Sequence, residues 1–259
     1  MVDNSLLKQA AELIRQSAYT IAFTGAGISV ESGVPPFRGE KGIWNQYDPK
    51  SLELDFFLGN PAASWGVIRE LFYHFFGNAR SNAAHFALAG LEKKGLLKGI
   101  ITQNIDNLHQ QAGSLEVYEF HGNSQKLVCL SCRRYYVPAD IDFDALPPHC
   151  SCGGLIKPDF IFFGEGIPMD AYQRSMQAAG RAEVVLVIGS TGEVMPAAQM
   201  PYLAKQNGAQ IIEVNPEKSN FTQSITDLYL PGKAAETLEK LFAEITGEKL
   251  LYNDQTHSI

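Results

Sequence analysis

Short apolar runs alternate with amphipathic stretches along most of this 259-residue chain. Four apolar runs predict buried strands at residues 19–24, 99–103, 184–188 and 210–214. Apolar residues at helical spacing predict helices over residues 5–16, 83–94, 170–179, 196–207 and 234–245. Strands that alternate with helices form a parallel sheet whose two faces the helices cover. The pattern therefore predicts an α/β fold of that kind.

Two stretches interrupt this alternation, and both are predicted to be insertions on the strand–helix scaffold. Residues 39–82 are rich in aromatic side chains and have a helical pattern. Residues 125–155 contain all four cysteines of the chain. One large domain with small additions is therefore expected, rather than two equal domains.

Composition and charge narrow the classes of protein that fit. Hydrophobic residues make up 45% of the chain, which is enough for one substantial core. The formal net charge of -7 argues against direct nucleic-acid binding, which depends on lysine and arginine contacts to phosphates. The same charge is compatible with lysine-rich partners and equally with simple solubility.

The chain has none of the sequence signals of a membrane or secreted protein. No apolar run reaches the roughly 20 residues that span a bilayer. The N-terminus predicts an amphipathic helix and lacks the basic start of a secretion signal. We therefore expect no membrane insertion and a cytoplasmic location, where clustered cysteines stay reduced.

The cysteines have the spacing of a metal site. Two residues separate Cys129 from Cys132, and one residue separates Cys150 from Cys152. Four thiolates close a tetrahedral zinc site and leave no position for a substrate, so such a zinc is structural. A usual ribbon has two residues within each pair, and Gly153 could relieve the tighter turn here. A redox pair or an incomplete site are the alternatives.

A glycine turn follows the first predicted strand, at Gly25-Ala26-Gly27. Glycines at this place let the backbone approach a pyrophosphate, although a plain strand-to-helix turn also fits. The third glycine of the ordinary dinucleotide fingerprint is replaced by Val30. No clear acidic residue lies about 20 positions further on. Both departures argue against a dehydrogenase.

A polar loop and a histidine provide further candidate chemistry. Residues 103–106, Gln-Asn-Ile-Asp, follow a predicted strand where open α/β sheets bind ligands, although a helix cap fits too. His121 precedes a glycine, and the near-neutral pKa of histidine suits a general base. His85 and His109 compete for this role, and we interpret them as helix packing and as support near the polar loop.

In this order, these segments resemble the sirtuins, the NAD-dependent protein lysine deacylases, over nearly the whole chain. The continuation Ser32-Gly33-Val34-Pro35-Pro36-Phe37-Arg38 resembles the family signature, except that Pro36 replaces the usual Asp or Thr. The resemblance implies a Rossmann-like NAD-binding domain formed by residues 1–38, 84–124 and 156–259. It also implies a helical module at residues 39–83 and a zinc-binding module at residues 125–155.

The resemblance also assigns the site residues. His121 and Asn104 are the catalytic residues it implies. The residues it implies for binding of NAD, the co-substrate, are Gly25, Ala26, Gly27, Ser29, Phe37, Arg38, Gln103, Asn104, Ile105, Asp106, Gly189, Ser190, Thr191, Asn215, Pro216, Glu217 and Ala234. The residues it implies for the acyl-lysine peptide are Ile161, Phe162, Phe163, Gly164, Glu165 and Gly192. The structural zinc would take Cys129, Cys132, Cys150 and Cys152.

The implied activity is lysine deacylation that consumes NAD and releases nicotinamide, free lysine and O-acyl-ADP-ribose. The acyl-lysine peptide would bind by adding a strand. Family members that remove acidic acyl groups carry a Tyr-x-x-Arg pair, and our alignment places Ile68 and Leu71 there. We therefore predict neutral acyl groups. A protein mono-ADP-ribosyltransferase and a non-catalytic NAD-sensing scaffold are the alternatives.

Overall fold

The computed structural model describes residues 2–36, 42–75 and 77–252. Nine strands are found in this part of the chain. They are β1 (Thr20–Thr24), β2 (Ile100–Thr102), β3 (Val117–Glu119), β4 (Gly122–Cys129), β5 (Tyr135–Tyr136), β6 (Ile156–Phe160), β7 (Val184–Ile188), β8 (Gln210–Asn215) and β9 (Leu228–Pro231).

Eight α-helices accompany the strands within the same ranges. They are α1 (Asn4–Gln16), α2 (Leu54–Gly59), α3 (Pro61–Ile68), α4 (Ala83–Lys93), α5 (Leu108–Gln111), α6 (Met169–Arg181), α7 (Gln199–Gln206) and α8 (Ala234–Thr246). 3-10 helices lie at Ala26–Ser32, Ile43–Asn45, Pro49–Leu52 and Pro138–Asp140, and Arg69–Phe75 is π-helical.

Six strands form one sheet in the order β3-β2-β1-β7-β8-β9, and every neighbouring pair is parallel. Successive residues of β1 and β7 pack on opposite faces, as a pleated strand requires. Ala22 and Leu186 contact a core shared with α1, α4 and α8, whereas Phe23 and Val187 contact a core shared with α6 and α7. The predicted fold class, a parallel sheet with helices on both faces, is confirmed.

The elements predicted from apolar patterning are present with small shifts at their ends. One difference concerns α7, which begins at Gln199 and not at Pro196 as predicted. The other concerns β3 and β9, which lie outside the four apolar runs that predict strands; in β9 the buried residues alternate with Tyr229 and the strand ends at Pro231. Proline removes a ladder donor, and strands that contain it are found at sheet edges, as here.

A second, three-stranded sheet has the order β5-β4-β6 with antiparallel pairing. It packs against α2, α3 and the π-helical segment through an aromatic cluster. Trp65 is fully buried in this cluster and its indole nitrogen donates to the Ile156 carbonyl at 3.0 Å. Phe72 and Phe160 pack with ring centroids 4.9 Å apart. The aromatic-rich stretch is thus helical and covers the smaller sheet.

Candidate functional site

The predicted site segments lie along one edge of the six-stranded sheet. Because the strands are parallel, their carboxyl ends share that edge, where open α/β sheets bind ligands. Each strand leads into a segment with predicted site residues. β1 leads to residues 25–29, β2 to 103–106, β3 to His121, β7 to 189–192, β8 to 215–217 and β9 to Ala234.

The sheet's topological switch point lies between β1 and β7, and two glycine segments touch there. The chain leaves β1 toward β2 on one side and returns to β7 on the other. The Gly27 N–H donates to the Gly189 carbonyl at 2.9 Å, and a Cβ on Gly27 would lie 2.6 Å from Gly189 Cα. Glycine is therefore required at position 27, and the two loops present backbone at the place where dinucleotides bind.

The chain after the glycine turn is a 3-10 helix and not the α-helix of the ordinary dinucleotide fold. It covers Ala26–Ser32 and stops at Gly33, whose φ is 85°. Pro35 and Pro36 follow, and proline cannot continue a helix because it lacks the N–H. Phe37 and Arg38, which we predicted for NAD binding, lie outside the described residues.

Buried polar side chains join the glycine turn to the Gln-Asn-Ile-Asp loop. The Ser29 hydroxyl donates to the Asp106 carboxylate at 2.7 Å. The Asn104 amide nitrogen donates to the Gly25 carbonyl and to Ser29 Oγ, both at 3.2 Å. Burial raises the pKa of Asp106, and the hydrogen bond from Ser29 opposes this shift. The network fixes both loops in one arrangement.

A second set of contacts connects this loop to the segments after β7 and β8. The Gln103 amide donates to Ser190 Oγ at 2.9 Å, and Asn215 Nδ2 donates to the Ser190 carbonyl at 3.1 Å. Thr191, Pro216 and Glu217 are exposed at the rim of the same edge. Hydroxyl and amide groups, which can bond to ribose and phosphate, thus line a path along the sheet edge, and the Glu217 carboxylate at the rim can accept only from a ribose hydroxyl.

His121 is oriented by the same loop. Its Nδ1 lies 3.0 Å from the Gln103 carbonyl oxygen, which can only accept a hydrogen bond. In the neutral ring Nδ1 therefore carries the proton, and Nε2 is the basic nitrogen. Burial lowers the pKa of His121, while the bond to Gln103 opposes this. The ring is consequently neutral near pH 7 and able to accept a proton.

Two buried threonines support the site and were not assigned a role from the sequence. Thr24 and Thr102 are the last residues of β1 and β2 and pair in register. Thr24 Oγ1 contacts Thr102 Oγ1 and His109 Nε2, each at 2.9 Å. His109 thus supports the polar loop from below. In the sequence, the signal for this supporting pair is a polar residue at the end of each of two apolar strands.

A cleft opens between the glycine turn, the polar loop and the smaller sheet. Ser124 on β4 donates to the Ile105 carbonyl at 2.7 Å, and Tyr73 donates to the Ser124 carbonyl at 2.9 Å. The cleft is therefore closed on the side of the π-helical segment. Its lining residues are Ala26, Val34, Phe72, Asn104, Ile105, Asp106, Ser124 and Gln125.

The predicted peptide segment follows β6. The Ile161 N–H donates to the His121 carbonyl at 2.8 Å, which places this segment beside the candidate base. Phe162 is buried against Phe57, with ring centroids 5.0 Å apart, whereas Phe163 is exposed. Gly192 lies after β7, and a Cβ at this position would lie 3.0 Å from the Phe221 ring.

The helical positions considered for acyl selectivity are both inside the core. Ile68 and Leu71 are buried in the aromatic cluster, and neither lines the cleft. Phe72, in the π-helical segment, lines the cleft instead. Such turns shift the side chains around them and are often found at functional sites.

The four cysteines converge on one point. Their Sγ atoms all lie within 4.8 Å of one another, with 3.6 Å between Cys129 and Cys152 and between Cys132 and Cys150. A tetrahedral zinc with bonds of about 2.3 Å holds its sulfurs about 3.8 Å apart, so the cluster fits this metal. The short second pair is accommodated by a turn in which Gly153 has a φ of 82°.

Fold and site together define the class of protein. It has a parallel sheet with two glycine segments in contact at its switch point, a histidine bonded to the loop that lines a cleft, and four cysteines placed to hold a zinc. The model of the Sir2 family matches residues 25–196. The chain belongs to the Sir2 family, so the resemblance to the sirtuins is confirmed.

Known proteins extend this similarity to almost the whole chain. "NAD-dependent protein deacylase 2" of Pyrobaculum aerophilum is 42% identical, over 91% of this chain and 94% of that protein. A Sir2 homologue in complex with NAD has a TM-score of 0.86 at 38% identity, covering 93% of this chain and 94% of that chain. A Sir2 structure with a deacetylated p53 peptide and 3'-O-acetyl-ADP-ribose has a TM-score of 0.87 at 36% identity, covering 92% of this chain and 98% of that chain.

Proposed function

We propose that this protein is an NAD-dependent protein lysine deacylase. The reaction transfers a neutral acyl group from lysine to ADP-ribose and releases nicotinamide. The observation that carries the proposal is the position of His121. It follows β3, and its Nδ1 is hydrogen-bonded to the Gln103 carbonyl of the loop whose Asn104 and Asp106 line the cleft. The names of its relatives support the same reaction.

NAD is proposed to lie along the carboxyl edge of the sheet, across the switch point. When bound, it supplies the nicotinamide–ribose bond that the reaction breaks. Gly25 and Gly27 let the glycine turn pack against Gly189 and Ser190, so that both loops present backbone to the pyrophosphate, and Asn215 and Ser190 lie where a ribose would be held. The Asp106 carboxylate accepts a hydrogen bond from Ser29 at the buried end of the cleft. There it would also be able to accept a hydrogen bond from the carboxamide of the nicotinamide.

His121 is proposed to accept a proton from a ribose hydroxyl through Nε2. Its Nδ1 contact with Gln103 fixes the tautomer, and burial keeps the ring neutral by lowering its pKa. Asn104 uses its amide nitrogen to hold the glycine turn. Its amide oxygen is then the group that would orient a water for the release of lysine.

Acyl-lysine proteins or peptides are the proposed partners. A peptide strand beside residues 161–165 would bring its lysine next to His121, because Ile161 is bonded to that residue. Val34 and Phe72 make the cleft wall apolar, which favours neutral acyl groups over carboxylates. The similar Sir2 structure with a deacetylated p53 peptide supports a peptide substrate.

The zinc is proposed to be structural, since four thiolates fill its coordination sphere. We also propose that the protein acts in the cytoplasm, where these thiolates are protected from oxidation. Among the helices that the structure describes, none has both the length and the apolar character needed to cross a membrane.

Mass spectrometry of an acetyl-lysine peptide, incubated with and without NAD, tests the proposal. We expect NAD-dependent loss of the acetyl group and formation of O-acetyl-ADP-ribose. His121→Ala should lower the rate by about 10²- to 10⁴-fold, because the general base is removed. His149→Ala is the matched control, since His149 is exposed in the cysteine region.

Other outcomes separate the alternatives. A peptide that gains ADP-ribose instead of losing its acyl group would identify a mono-ADP-ribosyltransferase. No reaction with acetyl-lysine peptides or with peptides that carry longer apolar acyl groups, together with measurable NAD binding, would favour a non-catalytic scaffold and contradict the proposal.

A further inference from the structure

One buried lysine attaches the 161–165 turn to the strand before it. Lys157 lies in β6, and its side chain is only 3% exposed. Its ammonium group contacts the carbonyl oxygens of Pro158 at 3.0 Å and Phe160 at 2.7 Å, and the Glu165 carboxylate at 2.9 Å. An ammonium has three N–H donors, so these acceptors satisfy all of them.

The position of this lysine is unusual for a charged side chain. Nζ also lies 4.2 Å from the centroid of the Phe162 ring, within cation–π distance. A buried charge is costly unless it is paired and hydrogen-bonded. Burial lowers the pKa of Lys157, and the contact with Glu165 opposes that shift. The ammonium therefore depends on the turn that carries its counter-charge.

The Glu165 carboxylate is directed into the protein. The oxygen that contacts Lys157 also accepts from the Phe162 N–H at 3.0 Å, and the Glu165 N–H donates to the Phe162 carbonyl at 3.0 Å. Gly164, between them, has a φ of 84°, which favours glycine. Glu165 thus closes a tight turn with both its backbone and its side chain.

This turn is bonded to both sides of the proposed peptide site. Ile161 is attached to the His121 carbonyl, as described above. Phe163 donates to the Leu52 carbonyl at 2.9 Å and accepts from the Leu54 N–H at 3.0 Å. A change in the turn would therefore shift the exposed Phe163 and the backbone of the candidate base.

We infer that Lys157 and Glu165 form a buried clamp that fixes the 161–165 turn and thereby positions the acyl-lysine peptide. They are positioning residues, and Glu165 acts on the peptide through the turn and not by direct contact. The inference rests on the proposed deacylase function. It assigns Lys157 to peptide affinity and not to NAD binding.

The test compares Lys157→Met, Glu165→Gln and the double variant with the natural protein. Each single change should raise the KM for an acetyl-lysine peptide by about tenfold or more, because it leaves a buried partner unpaired. The KM for NAD should stay within about twofold. The double variant should be no worse than Lys157→Met, because neither charge remains. Additive effects, or an equal change in both KM values, would overturn the clamp.

A matched control and a structural readout complete the experiment. Lys240→Met breaks an exposed ion pair with Glu236 and should leave both KM values unchanged. Hydrogen exchange of the unliganded proteins should show faster exchange at Phe162 and Glu165 in Lys157→Met, with little change in β7. Unchanged exchange in residues 161–165 would contradict the clamp.

The structural readout also separates this inference from the proposed function. If the natural protein deacylates no peptide, the proposed function fails while the exchange comparison still reports on the clamp. If Lys157→Met does not fold, Glu165→Gln and the charge-retaining Lys157→Arg decide the matter. We expect Lys157→Arg to recover part of the peptide affinity, and no recovery relative to Glu165→Gln would argue against a charge-dependent clamp.

Discussion

The six-stranded and three-stranded sheets meet at His121, but different interactions stabilise them. In the larger sheet, β1 and β7 are buried along their whole length and covered on both faces by helices. In the smaller sheet, β5 has only two residues, one of them exposed. Most of the chain between β4 and β6 has no regular structure, and the cysteine cluster connects its ends. The larger sheet therefore provides its own core, whereas the smaller one depends on aromatic packing and on four cysteines placed to hold a metal.

Removal of the metal should have the largest effect, and it should loosen the smaller sheet but not the larger one. Cys150→Ser is expected to abolish zinc binding, because structural zinc contributes about 10–16 kcal/mol in small zinc modules. The zinc content measured by elemental analysis should fall from one zinc per chain to none. Hydrogen exchange should accelerate over residues 122–160 but not in β7.

Ser151→Ala is the matched control, since Ser151 lies between the two cysteines and its Oγ faces Arg134. It should retain zinc. Retention of zinc by Cys150→Ser, or equal loosening of both sheets, would refute the comparison.

The larger sheet should respond to a single methyl group at the switch point. Gly27→Ala places a Cβ 2.6 Å from Gly189 Cα, and backbone atoms have little room to move. We expect a loss of stability of about 1–3 kcal/mol from overpacking and weaker NAD binding. Thermal unfolding and titration calorimetry with NAD measure the two effects.

Gly180→Ala is the control for this change. Gly180 lies in α6 with open space around its Cβ position, so alanine there should raise helix stability by up to about 1 kcal/mol. A Gly27→Ala variant that matches the natural protein in both measurements would show that the close approach of the loops is not needed.

The expected effect that is smallest near neutral pH is a pH dependence of stability beneath the polar loop. Burial lowers the pKa of His109 from 6.5 to about 3. Burial and the neighbouring His109 lower the pKa of His85 as well. Between the lowered pKa values of these two histidines and pH 6.5, the unfolded chain binds protons that the folded chain does not. Stability therefore falls as pH decreases.

Chemical denaturation from pH 7.5 to pH 4 tests this dependence. The free energy of unfolding of the natural protein should fall more steeply than that of His109→Gln, by up to about 1.4 kcal/mol per pH unit. Parallel profiles over this range would mean that His109 is accessible to protons in the folded state.

Much of the larger sheet could be predicted from apolar patterning. Residues 184–188 are all buried, so their continuous apolar run directly reflects their surroundings. The smaller sheet could not be predicted, because β4 contains Asn123, Gln125 and Lys126 and its pairing is interrupted by an irregularity. The division into an NAD-binding domain, a helical module and a zinc module stays a prediction.

The candidate site was predictable at the level of its residues but not of their contacts. Ser29 and Asp106 are both predicted for the cofactor site, yet their hydrogen bond depends on β1 and β2 being neighbours. Lys157 lies in a largely apolar segment, and nothing in the local sequence indicates that Glu165 is its partner. A residue pattern reports burial, whereas partners depend on the order of strands.

By itself, the sequence determined the chemistry that this protein carries: the glycine turn and the polar loop, each placed at the end of a strand that apolar patterning predicts, together with the histidine and the four thiolates. Only the tertiary structure decided which of these groups touch. Gly27 meets Gly189, His121 is held by Gln103, and Lys157 is neutralised by Glu165. The reason is that hydrophobic burial is non-directional and fixes which residues are inside, while hydrogen bonds and close backbone contacts require a specific arrangement of distant segments.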